Sequence, residues 1–262
     1  MGVRGNESQV EPLVVQKDRT RMLRYWNSTA EWRDTYFVEL CRQNPYHLSA
    51  CIRMEREFVI AEEHRVCAEV ARAESVLELG CGVGRSLLPV IKAHPTKRFV
   101  GIDLASQQIA RFAALLKAQG HQNAEALVAD VAELPIRTDS IDLVLICHQT
   151  FGTFLGQTRD SALDEIVRVL RPRGRLYIGG FDNIGVAEAW YRARGVDIES
   201  IQPERRFVCL RDYNSWWQSE RDIVATLAQY GFYLCRASRV QMGFLDTFER
   251  KPGGERSSGI CR

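Results

Sequence analysis

Between Val76 and Ser86 the chain reads VLELGCGVGRS, a short strand-like run followed by glycine at every second position, 80, 82 and 84. Strand character stops there and a helical pattern follows. Such a turn lets the backbone come close to a ligand and aims the positive end of the next helix at it. The stretch therefore predicts a strand–turn–helix unit with a nucleotide-like ligand at the carboxyl end of its strand.

The rest of the pattern extends that unit. Apolar runs at 75–79, 98–102, 125–129, 141–147 and 174–180 alternate with helical stretches, which predicts a parallel α/β sheet with helices on both faces. Ile109, Phe112, Ala113 and Leu116 form one helical stripe before Gly120. Leu163, Ile166, Val167 and Leu170 form a second, opened by Ser161-x-x-Asp164 and ended by Pro172 and Gly174. Ile223, Leu227 and Tyr230 form a third, opened by Ser219-x-x-Asp222 and closed by Gly231. Two β-like runs, 232–239 and 244–250, meet around Met242-Gly243 as a hairpin. Upstream, Ile52, Val59, Val66 and Val70 share a helical face, and Tyr25, Trp26, Trp32, Tyr36 and Phe37 crowd the segment before it.

These patterns divide the chain into a mobile arm over 1–20, one domain over 21–250 and a disordered tail over 251–262. The domain comprises an N-terminal helical cap (21–74), a ligand-binding core (75–180), an insertion (181–217) and a last helix with its hairpin (218–250). With 45% hydrophobic and 26% charged residues, a buried core is within reach of such a body. A net charge of +2, with arginines mostly matched by nearby carboxylates, neither calls for a polyanionic partner nor excludes one. No apolar run approaches the roughly 20 residues that cross a bilayer, and the N-terminus has no apolar stretch of signal-peptide length. A cytoplasmic protein without a membrane partner is expected. The cysteines at 41, 51, 67, 81, 147, 209, 235 and 261 include no Cys-x-x-Cys pair, so free thiols and no metal site are expected.

Two ligand classes compete for the glycine turn. The dinucleotide fingerprint is Gly-x-Gly-x-x-Gly; here the third glycine arrives one residue early, at Gly84, and Arg85 occupies its place. Glu78, two residues before the turn, would repel a diphosphate and welcome a cation. The stretch resembles the first motif of the class I S-adenosylmethionine-dependent methyltransferases, Glu/Asp-x-Gly-x-Gly-x-Gly, matched by Glu78, Gly80, Gly82 and Gly84 with Cys81 inside the loop. Later motifs follow in order over 75–180: FVGIDLASQQIA, LVADVAELPI, DSIDLVLICHQTFGTF and LDEIVRVLRPRGRLYIGG.

The resemblance implies a Rossmann-like seven-stranded sheet whose last strand is antiparallel, and S-adenosylmethionine as cofactor. It implies that Asp103 accepts from the ribose hydroxyls, that Leu104 lies against the adenine and that Gln108 flanks the nucleoside. It also implies that Asp130 and the backbone of Val131 read the adenine, and that Cys147 lies beside the methionine part. The residues alone leave other readings open: Asp103 or Asp130 as helix caps, Cys147 as a packing residue, and the whole as an NAD-type oxidoreductase or a non-catalytic cofactor-binding protein.

For the acceptor, His148 just beyond the fourth strand is the candidate base, since imidazole titrates near neutrality; a packing or substrate-contact histidine is the other reading. The insertion carries Trp190, Tyr191, Phe207, Tyr213, Trp216 and Trp217, and segments 21–37 and 186–217 are expected to close as a lid over the acceptor. Trp26, Tyr36, Phe151 and Trp217 are the expected contacts to an aromatic or apolar small molecule. Arginines 192, 194, 205, 206 and 211 are balanced by Glu188, Asp197, Glu199, Glu204 and Asp212, which reads as a solvated surface. Nucleic-acid bases are disfavoured. Cys-His-Gln-Thr stands where amino methylation of bases uses Asn/Asp-Pro-Pro-aromatic, and no proline precedes a cysteine. The methylated atom and the oligomeric state do not follow from these residues.

Overall fold

A computed structural model describes residues 11–29, 39–40 and 42–252. Five parallel strands alternate with helices as the apolar runs predict: β1 (Ser75–Leu79), β2 (Arg98–Asp103), β3 (Ala124–Val128), β4 (Ile141–Ile146) and β5 (Leu170–Phe181). The chain order 3-2-1-4-5 reverses direction between β1 and β4, which opens a crevice at their carboxyl ends. The final hairpin completes the sheet. β11 (Gly243–Arg250) runs antiparallel to β5, and β9 (Phe232–Arg236) pairs with its other edge. The two-residue β10 (Arg239–Val240) pairs with the start of β11. It adds a stub to the seven principal strands.

Period-two alternation divides the strand side chains between two cores. Val76, Leu143, Leu145 and Tyr177 face one side, where α2 (Ala50–Val70), α3 (Leu87–Ala93) and α4 (Ser106–Ala118) bring Phe58, Val66, Val90, Ile109 and Phe112. Leu77, Val144, Ile146, Leu176 and Ile178 face α5 (Gly156–Val169) and α7 (Glu220–Gln229), which bring Leu163, Ile166, Ile223 and Leu227.

The Ser219 box caps α7, its Oγ accepting the Asp222 amide at 3.2 Å. The Ser161 box does not cap α5, which begins at Gly156, so Ser161 and Asp164 lie within the helix. On α4 the stripe is carried by Ile109, Phe112 and Leu116, while Ala113 is exposed.

The first helix, α1 (Glu11–Ser28), crosses the boundary expected at residue 20: the backbone of 11–20, assigned to a mobile arm, is helical. Residues 1–10, Trp32, Tyr36, Phe37 and the tail beyond 252 lie outside the described residues. The insertion forms α6 (Ala187–Ala193) and a separate three-stranded antiparallel meander, β6 (Ile198–Gln202), β7 (Phe207–Leu210) and β8 (Asn214–Trp216). Tyr213 in its last turn meets the rings of Tyr25 and Trp26, each with centroids 5.0 Å away, so α1 and the insertion touch above the crevice.

Candidate active site

A cavity of about 200 Å³ fills the crevice, with the β1 and β4 ends as floor and α1 and the insertion as roof. The glycine turn forms one wall, and its three glycines answer to different demands. All have positive φ: +67° at Gly80, +54° at Gly82 and +81° at Gly84. A Cβ on Gly80 would collide with Thr150, and one on Gly84 with the Phe112 ring. At Gly82 it would meet only Gln108 Oε1, 3.5 Å away. Gly80 and Gly82 thus border the cavity, with open space only at Gly82, whereas Gly84 makes room for the core and is absent from the cavity wall.

The turn's amides are spent inside the protein. Gly80 and Cys81 donate to the Ile102 carbonyl at 2.8 and 3.0 Å, and Gly82 donates to Asp103 Oδ2 at 2.9 Å. The backbone does border the cavity as the glycine turn predicts, but these three N–H groups are already bonded within the protein. Carboxylates face the cavity instead: Glu78, Asp103 and Asp130 all line it. That disfavours a diphosphate and suits a ligand that donates hydrogen bonds or carries positive charge.

Glu78 is buried, its Oε2 has no hydrogen-bond partner, and burial pushes its carboxyl up to about 8 against the pull of Arg85. Asp103 is not the helix cap the sequence allowed, since Ala105 is the N-cap residue of α4 and no side chain caps that helix. Asp103 Oδ1 accepts the Ala105 amide at 2.9 Å in the preceding turn, and its carboxylate also lines the cavity. Asp130 Oδ1 accepts the Ala132 amide at 2.9 Å in the same manner. Gln108, on the first turn of α4, has a buried Oε1 without a partner. Leu104, Val131, Cys81 and Cys147 complete this part of the wall. Burial, reinforced by the Glu62 and Glu78 carboxylates, holds the Cys147 thiol well above its ordinary value, which makes it a packing group rather than a nucleophile. The cysteines at 51, 67, 81, 147, 209 and 235 are free thiols.

Just beyond β4, His148 sits at φ +49° and donates its amide to Glu62 Oε1 at 2.8 Å. Its ring stands edge-on to Phe58 and Phe181, with Nε2 3.4 Å from Glu55 Oε1. Both ring nitrogens are closed off from solvent, and burial lowers the imidazole below its usual range although Glu55 opposes this. Trp26 from α1 and Trp190, Tyr191 and Tyr213 from the insertion line the cavity.

Two expected contacts do not line it. Trp217 is fully buried one layer behind, donating Nε1–H to the Tyr191 hydroxyl at 3.3 Å, and Phe151 lies under the Arg159 guanidinium while Phe154 takes the wall position. Tyr36 is outside the described residues. Arg192 and Arg211 form the expected surface pairs with Glu188 and Asp197, at 2.8 and 3.2 Å. Arg194 instead turns inward to Glu55 and stacks 4.7 Å from the Trp190 ring.

Sequence reasoning missed Glu55, Glu62, Arg85 and Gln149. Gln149 staples the insertion to the sheet, donating to the Trp216 carbonyl and accepting from the Phe181 amide, both at 2.6 Å. Glu55, Glu62 and Glu69 recur every seven residues on the face of α2 that carries Phe58, Val59 and Val66. That spacing on an apolar face is the signal that could have found them.

Residues 76–174 match the model of a methyltransferase domain family. The fold is that of the 1,6-didemethyltoxoflavin-N1-methyltransferase of Burkholderia thailandensis, solved with 1,6-didemethyltoxoflavin and S-adenosylhomocysteine: TM-score 0.63, 17% identity, 90% of each chain. The magnesium protoporphyrin IX methyltransferase of Synechocystis PCC 6803, solved with S-adenosylhomocysteine, superposes with TM-score 0.62 and 18% identity over 89% of this chain and 100% of that one. In sequence, 114 residues are 33% identical to the U6 snRNA (guanine-N(2))-methyltransferase THUMPD2 of Bos taurus, covering 42% of this chain and 23% of that protein. The chain spans about a third of the length of the curated relatives it matches. Residues 76–174 thus match a methyltransferase domain, set on the fold of these two methyltransferases solved with S-adenosylhomocysteine. No helix among the described residues is long and apolar enough to cross a membrane.

Proposed function

We propose that the chain transfers the methyl group of S-adenosylmethionine to a small molecule with an aromatic or apolar body. The observation that carries this reading is the wall at the switch point, where amides are spent internally and Glu78 Oε2 and Gln108 Oε1 are buried acceptors without partners. A cationic, donor-rich nucleoside fits that wall. Glu78 and the backbone at Gly80–Gly82 would hold its amino-acid end, Asp103 and Gln108 its ribose, and Leu104, Asp130 and Val131 its base.

Bound there, S-adenosylmethionine supplies a methyl group already activated on a sulfonium. The chain's own task is then orientation, which by itself lowers a barrier by several kcal/mol. Trp26, Trp190, Tyr191 and Tyr213 supply flat apolar walls for an acceptor and exclude water from it. The shielding of both His148 ring nitrogens supports an orienting wall role for this residue over that of a base.

A nucleic-acid acceptor is the second reading, favoured by the RNA target in the THUMPD2 name. The roof of α1 and the insertion, and Cys147-His148-Gln149-Thr150 after β4, weigh against it. Incubation of metabolite extracts and of total RNA with protein and S-adenosylmethionine, read as a mass gain of one CH2, separates the two. Methylated RNA with unchanged metabolites would overturn the small-molecule acceptor. Calorimetry in which NAD binds more tightly than S-adenosylhomocysteine would overturn the cofactor.

A further inference from the structure

Gln108 touches two parts of the molecule with one amide group. Its Nε2 donates to the Trp26 carbonyl at 2.7 Å and to Thr29 Oγ1 at 3.2 Å, both at the carboxyl end of α1. One residue earlier the Gln107 amide donates to Asn27 Oδ1 at 2.9 Å. At the other end of the same amide, Oε1 is buried, has no partner and lies beside Gly82 on the cavity wall. Trp26, whose carbonyl the amide holds, places its ring in the acceptor roof against Tyr213.

We infer that Gln108 is a positioning residue that couples the nucleoside end of the cavity to the acceptor roof, so that a ligand donating to Oε1 fixes α1 and with it Trp26. The inference rests on the proposed cofactor reading and deepens it. An amide group has two distinguishable ends. Without a ligand donor, the orientation that holds α1 leaves Oε1 buried and unsatisfied, so side-chain rotamers that hydrate Oε1 at the expense of the bonds to α1 compete with it; a flip in place is no alternative, because it sets Oε1 against the Trp26 carbonyl oxygen. A donor at Oε1 removes that competition, and the amide is then locked with both N–H groups on Trp26 and Thr29. By linkage, an ordered α1 raises affinity for the ligand by the same factor. The acceptor roof is thus completed after the nucleoside has bound, which orders the reaction with cofactor first.

The test uses S-adenosylhomocysteine and the full chain. In the wild type, backbone amides of residues 20–29 should exchange roughly fivefold or more slowly when the ligand is saturating. Gln108→Glu keeps an oxygen toward the cavity but loses both N–H donors. It should still bind, while the ligand-dependent protection of 20–29 disappears and the ligand-induced change in tryptophan fluorescence shrinks. Gln108→Met removes both ends and should also weaken binding by roughly 2- to 10-fold. Thr29→Val lies outside the cavity wall and should reduce the protection in part, which supplies the answer if the Gln108 variants unfold. Ligand binding with unchanged exchange over 20–29 in the wild type, or a full wild-type response in Gln108→Glu or in Thr29→Val, would overturn the coupling. A wild type that does not bind S-adenosylhomocysteine would instead be a failure of the cofactor reading.

Discussion

Glu55 Oε1 lies 3.4 Å from His148 Nε2, and the same oxygen receives the Arg194 guanidinium. One carboxylate on α2 thereby ties together the loop after β4 and the end of α6. It is the first of three along this helix: Glu62 pairs with Arg85 at 2.9 Å, and Glu69 with Arg175. All three glutamates are buried, so α2 presents a ladder of ion pairs to the sheet and to the site. Breaking one pair leaves a charge stranded, whereas replacing both partners with apolar groups does not.

Glu55→Gln should therefore destabilise the fold by about 3–5 kcal/mol, and the double variant Glu55→Leu/Arg194→Met should recover most of the loss, both read from urea unfolding at neutral pH. Burial would raise the Glu55 carboxyl, but Arg194 and the His148 and Trp190 side chains outweigh it and hold the group at about 2. Its contribution is present above the unfolded value of about 4.5 and is lost as pH falls toward 2. His148, lowered by burial, acts in the same direction, losing stability as pH falls below 6.5. An acid limb of the same depth in the double variant would show that the pair is not its source.

Glu78 has the opposite sign. Its folded value of about 8 exceeds the unfolded 4.5, so the stability associated with its protonated form is full below 4.5 and is lost as pH rises through 8. Glu78→Gln should remove this alkaline loss and raise the melting temperature above pH 8 by an amount equivalent to about 2–4 kcal/mol. It should at the same time weaken S-adenosylhomocysteine binding. In the wild type, a ligand ammonium placed beside Glu78 should expel its proton, read as proton release in calorimetry at pH 7 in buffers of different ionisation enthalpy. Stability destroyed equally at pH 6 and pH 9 by Glu78→Gln would mean the residue is ordinary core.

The sheet was legible because its signals are local. Positive φ at Gly80, Gly82 and Gly84, alternation along β1 and β4, and the Ser219 cap are each fixed by a few neighbouring residues. What local pattern could not reveal was the reason for each glycine, since the Thr150 and Phe112 side chains that exclude a Cβ at Gly80 and Gly84 arrive from distant parts of the chain. The same holds for the aromatic insertion. Composition announced a pocket but could not rank Trp190 and Tyr213 on the wall above Trp217 behind it, because that order depends on how the meander packs on Phe181 and Tyr191. Arg194 looked like a surface arginine because its partner, Glu55, lies 139 residues away.

Asp103 has a double role that a single substitution would blur. Its two oxygens hold the Gly82 and Ala105 amides, and the carboxylate also faces the cavity. Asp103→Ala should weaken S-adenosylhomocysteine binding by about 10- to 100-fold, since charge-assisted hydrogen bonds contribute about 1.5–3 kcal/mol each, and should loosen the turn as well. Amide exchange at Gly82 separates the effects: it should accelerate in the ligand-free variant. An unchanged dissociation constant together with a loosened turn would reduce Asp103 to a residue that only holds the Gly82 and Ala105 backbone.

Trp26 and Trp217 both belong to the aromatic set expected over the acceptor, but they occupy different layers, and their substitutions should diverge. Trp217 is fully buried against Phe181, Trp190 and Tyr191, so Trp217→Ala opens a core cavity and should cost about 3–5 kcal/mol in unfolding experiments. Trp26 is only partly buried and its ring lines the site, so Trp26→Ala should leave the melting temperature within a few degrees of wild type. Its effect should fall on the acceptor: once a methylated product has been identified, the Michaelis constant for that acceptor should rise while cofactor affinity stays nearly intact. The backbone carbonyl of residue 26, which Gln108 holds, survives the substitution, so the coupling to the cofactor is preserved as the wall is removed. Equal destabilisation by the two variants would place Trp26 in the core and assign the acceptor roof to the insertion alone.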